Sequence, residues 1–130
     1  MGTFFSRGES MSKILIIDDD PMVARMVGFI LKKKGHTSIG AENGSDGIAK
    51  LKAGGADLVL LDVEMPDENG IAVLERIRAE GDTAEAKVCL MTGTLDDEVY
   101  AAADRLGAVG CLAKPVEAAA LMEVLESADI

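Results

Sequence analysis

The chain has 130 residues, 48% of them hydrophobic, which suits one compact domain with a buried core and excludes a disordered chain or two domains. Its formal net charge of −10 at pH 7 argues against direct binding of DNA or RNA, because nucleic-acid phosphates are held by clustered Lys and Arg. No apolar run approaches the roughly 18 to 20 residues that cross a bilayer, so we expect a cytoplasmic protein without membrane insertion.

The first strand and helix follow a short leader. Residues 1–12 show no periodicity, and we interpret them as a flexible leader or tag remnant ahead of one domain over residues 13–130. Residues 14–17 are a continuous apolar run, and Pro21 behind the capping acid Asp20 is typical of a first helical turn. Gly35 is expected to end this helix. Its apolar residues recur at helical spacing and are Met22, Val23, Met26, Val27, Ile30 and Leu31.

Four more pairs of strand and helix are predicted. The strands cover residues 37–41, 58–61, 87–91 and 109–113, and the helices cover residues 45–53, residues 70–80, a segment from Leu95 that Gly107 ends, and a last segment around Leu121 and Leu125. Apolar runs without alternation suit strands that are covered on both faces. Five alternations joined by right-handed crossovers predict one open parallel sheet with helices on both sides.

Polar side chains stand where four of these strands end. In chain order they are Asp18, Asp19 and Asp20, then Asp62, then Thr92, then Lys114 before Pro115. The carboxyl ends of parallel strands share one edge of the sheet, where ligands of such folds bind. An acid cluster, a hydroxyl and an ammonium group brought together there could bind a divalent cation and transfer a phosphoryl group.

Other common site types find no support in the sequence. It contains neither a Walker loop nor a glycine-rich dinucleotide fingerprint after a strand, so nucleotide binding is not indicated. Cys89 and Cys111 lie within apolar runs and are expected to be buried thiols without a disulfide. His36 has no second ligand at zinc spacing.

Four segments in this order resemble the receiver domain of two-component response regulators, and the similarity spans residues 13–127. The segments are Ile16-Ile17-Asp18-Asp19-Asp20, residues 60–66 with Gly70 behind them, Met91-Thr92-Gly93, and Lys114-Pro115. The resemblance implies an α/β fold of the flavodoxin-like, doubly wound (βα)5 type. Its five-stranded parallel sheet would have the order 2-1-3-4-5.

The resemblance also implies the roles of the acidic residues. Asp62 would be the phosphoacceptor, since a carboxylate can attack phosphorus and form an acyl phosphate. Asp18 and Asp19 would bind Mg²⁺ or Mn²⁺ together with Asp62, Asp19 directly and Asp18 partly through water. The backbone carbonyl of Glu64 would complete the metal shell. Glu64 and Thr94 would tune the access of water to the acyl phosphate.

The remaining roles concern the contacts of the phosphoryl group and the conformational change that would follow phosphorylation. Lys114 would contact Asp62 and later a phosphoryl oxygen, and the Lys114–Pro115 peptide bond is expected to be cis. Thr92 would donate its hydroxyl to the phosphoryl group, and its movement would shift the fourth helix. The chain departs from the family at Cys111, where Tyr or Phe is common, so coupling would run through the backbone of residues 93–96. Tyr100 would either anchor a partner or pack partly into the core.

The implied function is that of a signalling protein and not a conventional enzyme, since it would catalyse only its own phosphorylation and dephosphorylation. The phosphodonor would be a histidine kinase, a histidine phosphotransfer protein or a small phosphodonor. The output would be a downstream protein target or output domain, with a phosphorylation-dependent dimer as a further option. One alternative is a receiver-like interaction module that is never phosphorylated. A remote alternative is a haloacid-dehalogenase-type phosphatase that uses Asp18.

Overall fold

In the computed structural model, residues 12–130 are described, and they form five strands and five helices that alternate along the chain. The elements are β1 (Lys13–Ile17), α1 (Pro21–Lys33), β2 (Thr37–Ala41), α2 (Gly44–Gly54), β3 (Leu58–Asp62), α3 (Gly70–Ala79), β4 (Val88–Thr92), α4 (Asp97–Arg105), β5 (Gly110–Ala113) and α5 (Ala118–Ser127). The predicted leader lies, except for Ser12, outside the described residues.

The strands form one parallel sheet in the order β2-β1-β3-β4-β5, which confirms the predicted order. Its register aligns the carboxyl ends of the strands. Ile17 lies opposite Leu61, Asp62 opposite Met91, and Thr92 opposite Ala113. The residues that follow β1, β3, β4 and β5 therefore emerge side by side at one edge.

Two apolar layers cover the sheet because successive strand residues point to opposite faces. Leu15, Ile17 and Leu61 pack with residues of α2, α3 and α4 on one side. Ile14, Ile16 and Leu60 pack with residues of α1 and α5 on the other side. All six side chains are at most 1% exposed, so the continuous apolar runs do belong to strands that are buried on both faces.

Short polar side chains start four of the helices. Asp20, as predicted, caps α1 by accepting the backbone N–H of Met22. Asn43 caps α2, which begins one residue earlier than predicted, and Asn69 caps α3. Asp96 caps α4 by accepting the N–H of Val99. These carboxylates and amides satisfy backbone donors that the first helical turn leaves without partners.

The helix α1 buries less of its apolar surface than its sequence pattern suggests. Val27 and Leu31 face the sheet and are at most 2% exposed, whereas Met22 and Met26 are 51% and 53% exposed. Phe29, on the same outer side, is 64% exposed. Met22, Met26 and Phe29 form what we call the α1 apolar face. Every helix formed by residues 12–130 is too short or too polar to span a membrane.

Candidate functional site

Three carboxylates meet at the carboxyl edge of the sheet. Asp18, Asp19 and Asp62 each offer an oxygen, and these atoms lie within 4.8 Å of one another. Asp18 and Asp62 are only 2% and 1% exposed, while Asp19 faces solvent. Two unit charges 4 Å apart repel by about 4 kcal/mol at an effective dielectric of 20, so this cluster requires positive charge nearby.

Lys114 supplies part of that charge. Its Nζ lies 2.7 Å from Asp18 Oδ2 and 3.0 Å from Asp62 Oδ1. The Lys114–Pro115 peptide bond is cis, and the Lys114 N–H donates to the carbonyl of Thr92 at 2.9 Å. Burial opposes the charge on Lys114, but its close contacts with the two carboxylates outweigh that effect and raise its pKa. The sequence had suggested the contact with Asp62 only.

Burial also dominates the electrostatics of Asp62. Removal from water, which is the main cause, and the charge of Asp18 together raise its pKa from 3.8 to a net value of about 6. Lys114 and the Glu64 N–H, which donates to Asp62 Oδ1 at 3.2 Å, act in the opposite direction. Asp62 is therefore a buried carboxylate that is still mostly ionised at neutral pH.

The donor set fits a small divalent cation. Asp18 Oδ2 is buried and lies 2.7 Å from the Lys114 ammonium, a contact that is an ion pair without hydrogen-bond geometry. A buried carboxylate oxygen with free lone pairs, next to two other carboxylates, is a ligand arrangement that Mg²⁺ and Mn²⁺ prefer. Residues 18, 19 and 62 could therefore hold such an ion, with Asp19 facing the solvent from which it would arrive.

A second group of contacts joins the segments after β3 and β4. The hydroxyl of Thr92, which is fully buried, donates to Glu64 Oε2 in a short contact. The Gly93 N–H donates to Glu64 Oε1 at 3.1 Å, and the Thr94 N–H donates to Thr92 Oγ1 at 3.1 Å. The sequence had suggested only the backbone carbonyl of Glu64 and a tuning position. Residues 64 and 92 are 28 apart in the chain, and no local pattern indicates their contact.

The two candidate signalling residues lie on the α4 side of the sheet. Cys111 in β5 lies opposite Leu90 in β4 and packs against the apolar layer on the α4 side. It is half-buried and therefore more exposed than the sequence predicted. Cys89 is fully buried, and burial raises the pKa of its thiol to about 12. Tyr100 is 52% exposed on α4, which favours a surface role over core packing.

The sequence analysis did not predict an apolar surface that lies beside the site. An apolar cavity of about 60 Å³ lies between α1 and the segment after β5, lined by Val23, Met26, Val27, Lys114, Pro115 and Val116. It joins the α1 apolar face to the lysine that contacts Asp62. The spacing of Met22, Met26 and Phe29 at i, i+4 and i+7, a second apolar stripe on α1, is the signal that could have revealed it.

Comparison with known proteins gives consistent matches. Residues 14–126 match the family described as response regulator receiver domain. The chain is 34% identical over 118 residues to protein PilH of Pseudomonas aeruginosa, covering 90% of this chain and 97% of PilH. It is 35% identical over 118 residues to chemotaxis protein CheY of Treponema pallidum, covering 88% and 81%. The structure of chemotaxis protein CheY4 from Vibrio cholerae superimposes with a TM-score of 0.82 at 26% identity, covering 89% and 97%.

Proposed function

The chain belongs to the response regulator receiver domain family, and from this we propose that Asp62 accepts a phosphoryl group with the help of Mg²⁺ or Mn²⁺. The observation that carries the proposal is the contact of Lys114 with two buried carboxylates, Asp18 and Asp62, at one edge of the sheet. Receiver domains are signalling modules and not conventional enzymes.

The chemistry assigned to Asp62 is covalent. One of its carboxylate oxygens attacks phosphorus, and the bond from phosphorus to the donor nitrogen or oxygen breaks, with its electron pair leaving on the donor. Lys114, whose Nζ is 3.0 Å from Asp62 Oδ1, would move from the carboxylate to a transferring phosphoryl oxygen. When bound, the divalent cation supplies further positive charge for these oxygens. Transfer of this kind depends mainly on positioning and electrostatics, which a rigid sheet edge provides.

The response would begin at Thr92. Its buried hydroxyl is one strand away from Asp62 and can turn to a phosphoryl oxygen once one is present. That movement would pull on residues 93–96 and on the start of α4, where Asp96 is the cap. Because Cys111 offers no large ring, the signal would pass through the backbone. Thr94 and Glu64, at the mouth of the site, would tune the access of water.

Two protein partners are proposed, at two surfaces. The phosphodonor, a histidine kinase or histidine phosphotransfer protein, would dock on the α1 apolar face and the adjoining cavity beside Lys114. A donor seated there has apolar surface to bury and lies next to the phosphoacceptor. The output partner, a downstream protein or output domain, would contact α4 around the exposed Tyr100. Aromatic side chains of this kind are frequent anchors in interfaces.

The test is an intact mass spectrum after treatment with acetyl phosphate, with and without Mg²⁺. We expect wild type to gain one phosphoryl group only with the cation, and Asp62→Asn to gain none. Asp104→Asn, at an exposed position on α4, is the matched control and should be modified like wild type. An unmodified wild type would favour the interaction module that is never phosphorylated. Hydrolysis of a phosphate ester that survives Asp62→Asn would favour a phosphatase that uses Asp18.

A further inference from the structure

We propose that the Glu64 carboxylate competes with the phosphoryl group for the hydroxyl proton of Thr92 and thereby restrains phosphorylation of Asp62. This inference rests on the proposed function. It deepens that function by naming the residue that holds the site in its unmodified arrangement, through Thr92 and not through contact with the reacting atoms. Glu64 is in this sense a positioning residue.

The contacts show what Glu64 occupies. One carboxylate oxygen takes the hydroxyl of Thr92, and the other takes the backbone N–H of Gly93 at 3.1 Å. Thr92 is the last residue of β4 and Gly93 follows it, so both donors lie next to Asp62 at the end of β3. The Glu64 carboxylate therefore holds the Thr92 hydroxyl that a phosphoryl group on Asp62 would recruit.

The hydroxyl of Thr92 makes the competition exclusive. A threonine hydroxyl has a single proton to donate, so it can serve Glu64 or a phosphoryl oxygen but not both. Its acceptor side is already used by the Thr94 N–H at 3.1 Å. Phosphorylation that recruits Thr92 must therefore break its hydrogen bond to Glu64.

The placement of Glu64 allows this exchange. Its backbone N–H donates to Asp62 Oδ1 at 3.2 Å, so its main chain stays tied to the phosphoacceptor. Its side chain is exposed and can turn into water when it releases Thr92. A phosphoryl group on Asp62 would also repel the Glu64 carboxylate, because both are anionic at close range. Before modification, the hydrogen bonds from Thr92 and Gly93 favour the inward position of the Glu64 side chain. After modification, repulsion from the phosphoryl group favours its outward position.

The experiment measures the initial rate of phosphorylation by excess acetyl phosphate with Mg²⁺, followed by intact mass, in a double-mutant cycle. Glu64→Ala should raise the rate about tenfold, as expected when a hydrogen bond to a charged group no longer has to be broken. Glu64→Gln, which keeps the shape without the charge, should fall between Glu64→Ala and wild type. In a Thr92→Ala background, Glu64→Ala should change the rate by less than about twofold.

Asp67→Ala is the matched control, because it removes one negative charge from the same loop without touching Thr92. Its rate should stay within about twofold of wild type. The inference is overturned if Glu64→Ala behaves like Asp67→Ala, if its effect persists without the Thr92 hydroxyl, or if only hydrolysis after donor removal changes. In each of these cases wild type is still phosphorylated and the proposed function stands. If wild type gains no phosphoryl group, the proposed function fails and this inference fails with it.

Discussion

Asp62 and Lys114 show how burial changes the chemistry of single residues. Asp62 is a short carboxylate at the end of a buried strand, and the sheet removes it from water until its pKa reaches about 6. Lys114 stays charged in the same place because two carboxylates contact it. If the Lys114 ammonium or the carboxylates that contact it were removed, the remaining charge would be buried and unpaired, which is strongly destabilising.

The first prediction concerns pH. Folded protein binds the Asp62 proton more tightly than unfolded protein, so unfolded chains lose it first as the pH rises. In metal-free protein, the free energy of unfolding should therefore fall between about pH 4 and pH 6, relative to Asp62→Asn, by up to about 3 kcal/mol. Urea unfolding of both proteins over this range, with a chelator present, measures the difference. Asp104→Asn should keep the wild-type profile, and parallel profiles for Asp62→Asn and wild type would contradict the assignment.

At the scale of elements, the site depends on how closely α3 approaches the end of β3. A Cβ placed on Gly70 would lie 2.1 Å from the backbone carbonyl oxygen of Asp62, which real atoms do not tolerate. The Gly70 N–H also donates to the Val63 carbonyl at 2.8 Å. Glycine at the start of α3 therefore lets the helix pack directly against the strand that carries Asp62.

The second prediction follows from that contact. Gly70→Ala should destabilise the protein by about 2 kcal/mol or more and slow phosphorylation, because the backbone at Asp62 or the start of α3 must move. Gly81→Ala is the matched control, since a Cβ there meets nothing within 4 Å. Urea unfolding and intact mass after acetyl phosphate treatment measure both effects. Equal stability of the two variants would show that the approach is not tight.

A half-buried arginine joins elements at the opposite edge of the sheet, near the start of β4 and β5. The guanidinium of Arg78 in α3 donates to four backbone carbonyls, those of Ala84, Ala86, Leu106 and Gly107. It thereby ties α3 to the segment before β4 and to the end of α4. Burial lowers the pKa of Arg78, but these carbonyls satisfy its donors. The C-terminal end of α4 is held, so the movement proposed to start at Thr92 should act mainly on the N-terminal end of that helix.

The third prediction tests this arginine. Arg78→Ala should lower the free energy of unfolding by about 2 to 3 kcal/mol, because four carbonyls, three of them in part-buried hydrogen bonds, lose their donors together. Arg105→Ala removes an exposed ion pair with Glu75, 3.3 Å long, and should change stability by less than about 1 kcal/mol. Hydrogen exchange should locate the loss of protection in residues 82–87 and 106–109. A small, diffuse effect would argue against a structural role for Arg78.

The whole molecule has a net charge of −10, and three of its carboxylates lie close together at the carboxyl edge of the sheet. The parallel sheet places Asp18, Asp19 and Asp62 together there with one ammonium group, so the local charge remains negative. Self-repulsion of this kind weakens a compact state and favours the binding of cations. A ligand that binds only folded protein also stabilises it by mass action.

The fourth prediction is that Mg²⁺ stabilises the protein more than NaCl of equal ionic strength. Above the dissociation constant, each tenfold rise in free Mg²⁺ should add about 1.4 kcal/mol to the free energy of unfolding. Asp19→Asn should lose most of this increase, whereas Glu98→Gln, at an exposed position on α4, should retain it. Urea unfolding over a Mg²⁺ series measures the slope. Equal slopes in Mg²⁺ and in matched NaCl would mean general screening and no specific site.

Much of the fold and part of the candidate site could be predicted from local patterns. Runs such as residues 14–17 and 58–61 identify strands because covered strands need apolar side chains on both faces. Once parallel strands are predicted, their ends must share an edge, and so Asp18, Asp62, Thr92 and Lys114 were expected to be neighbours. Alternation of strands and helices is a property of neighbouring residues, so local patterns were enough to predict the parallel architecture and the side chains at its carboxyl edge, while the strand order followed from the resemblance to the family.

Which contacts these members make was decided only by the tertiary structure. Three sets of contacts join distant parts of the chain. They are the hydrogen bond from Thr92 to Glu64, the contact of Lys114 with Asp18, and the four hydrogen bonds of Arg78. Exposure of Met22, Met26 and Phe29 likewise depends on how far α1 is covered by other elements. Such contacts depend on strand register, loop path and side-chain orientation acting together, and no periodicity along the chain records them.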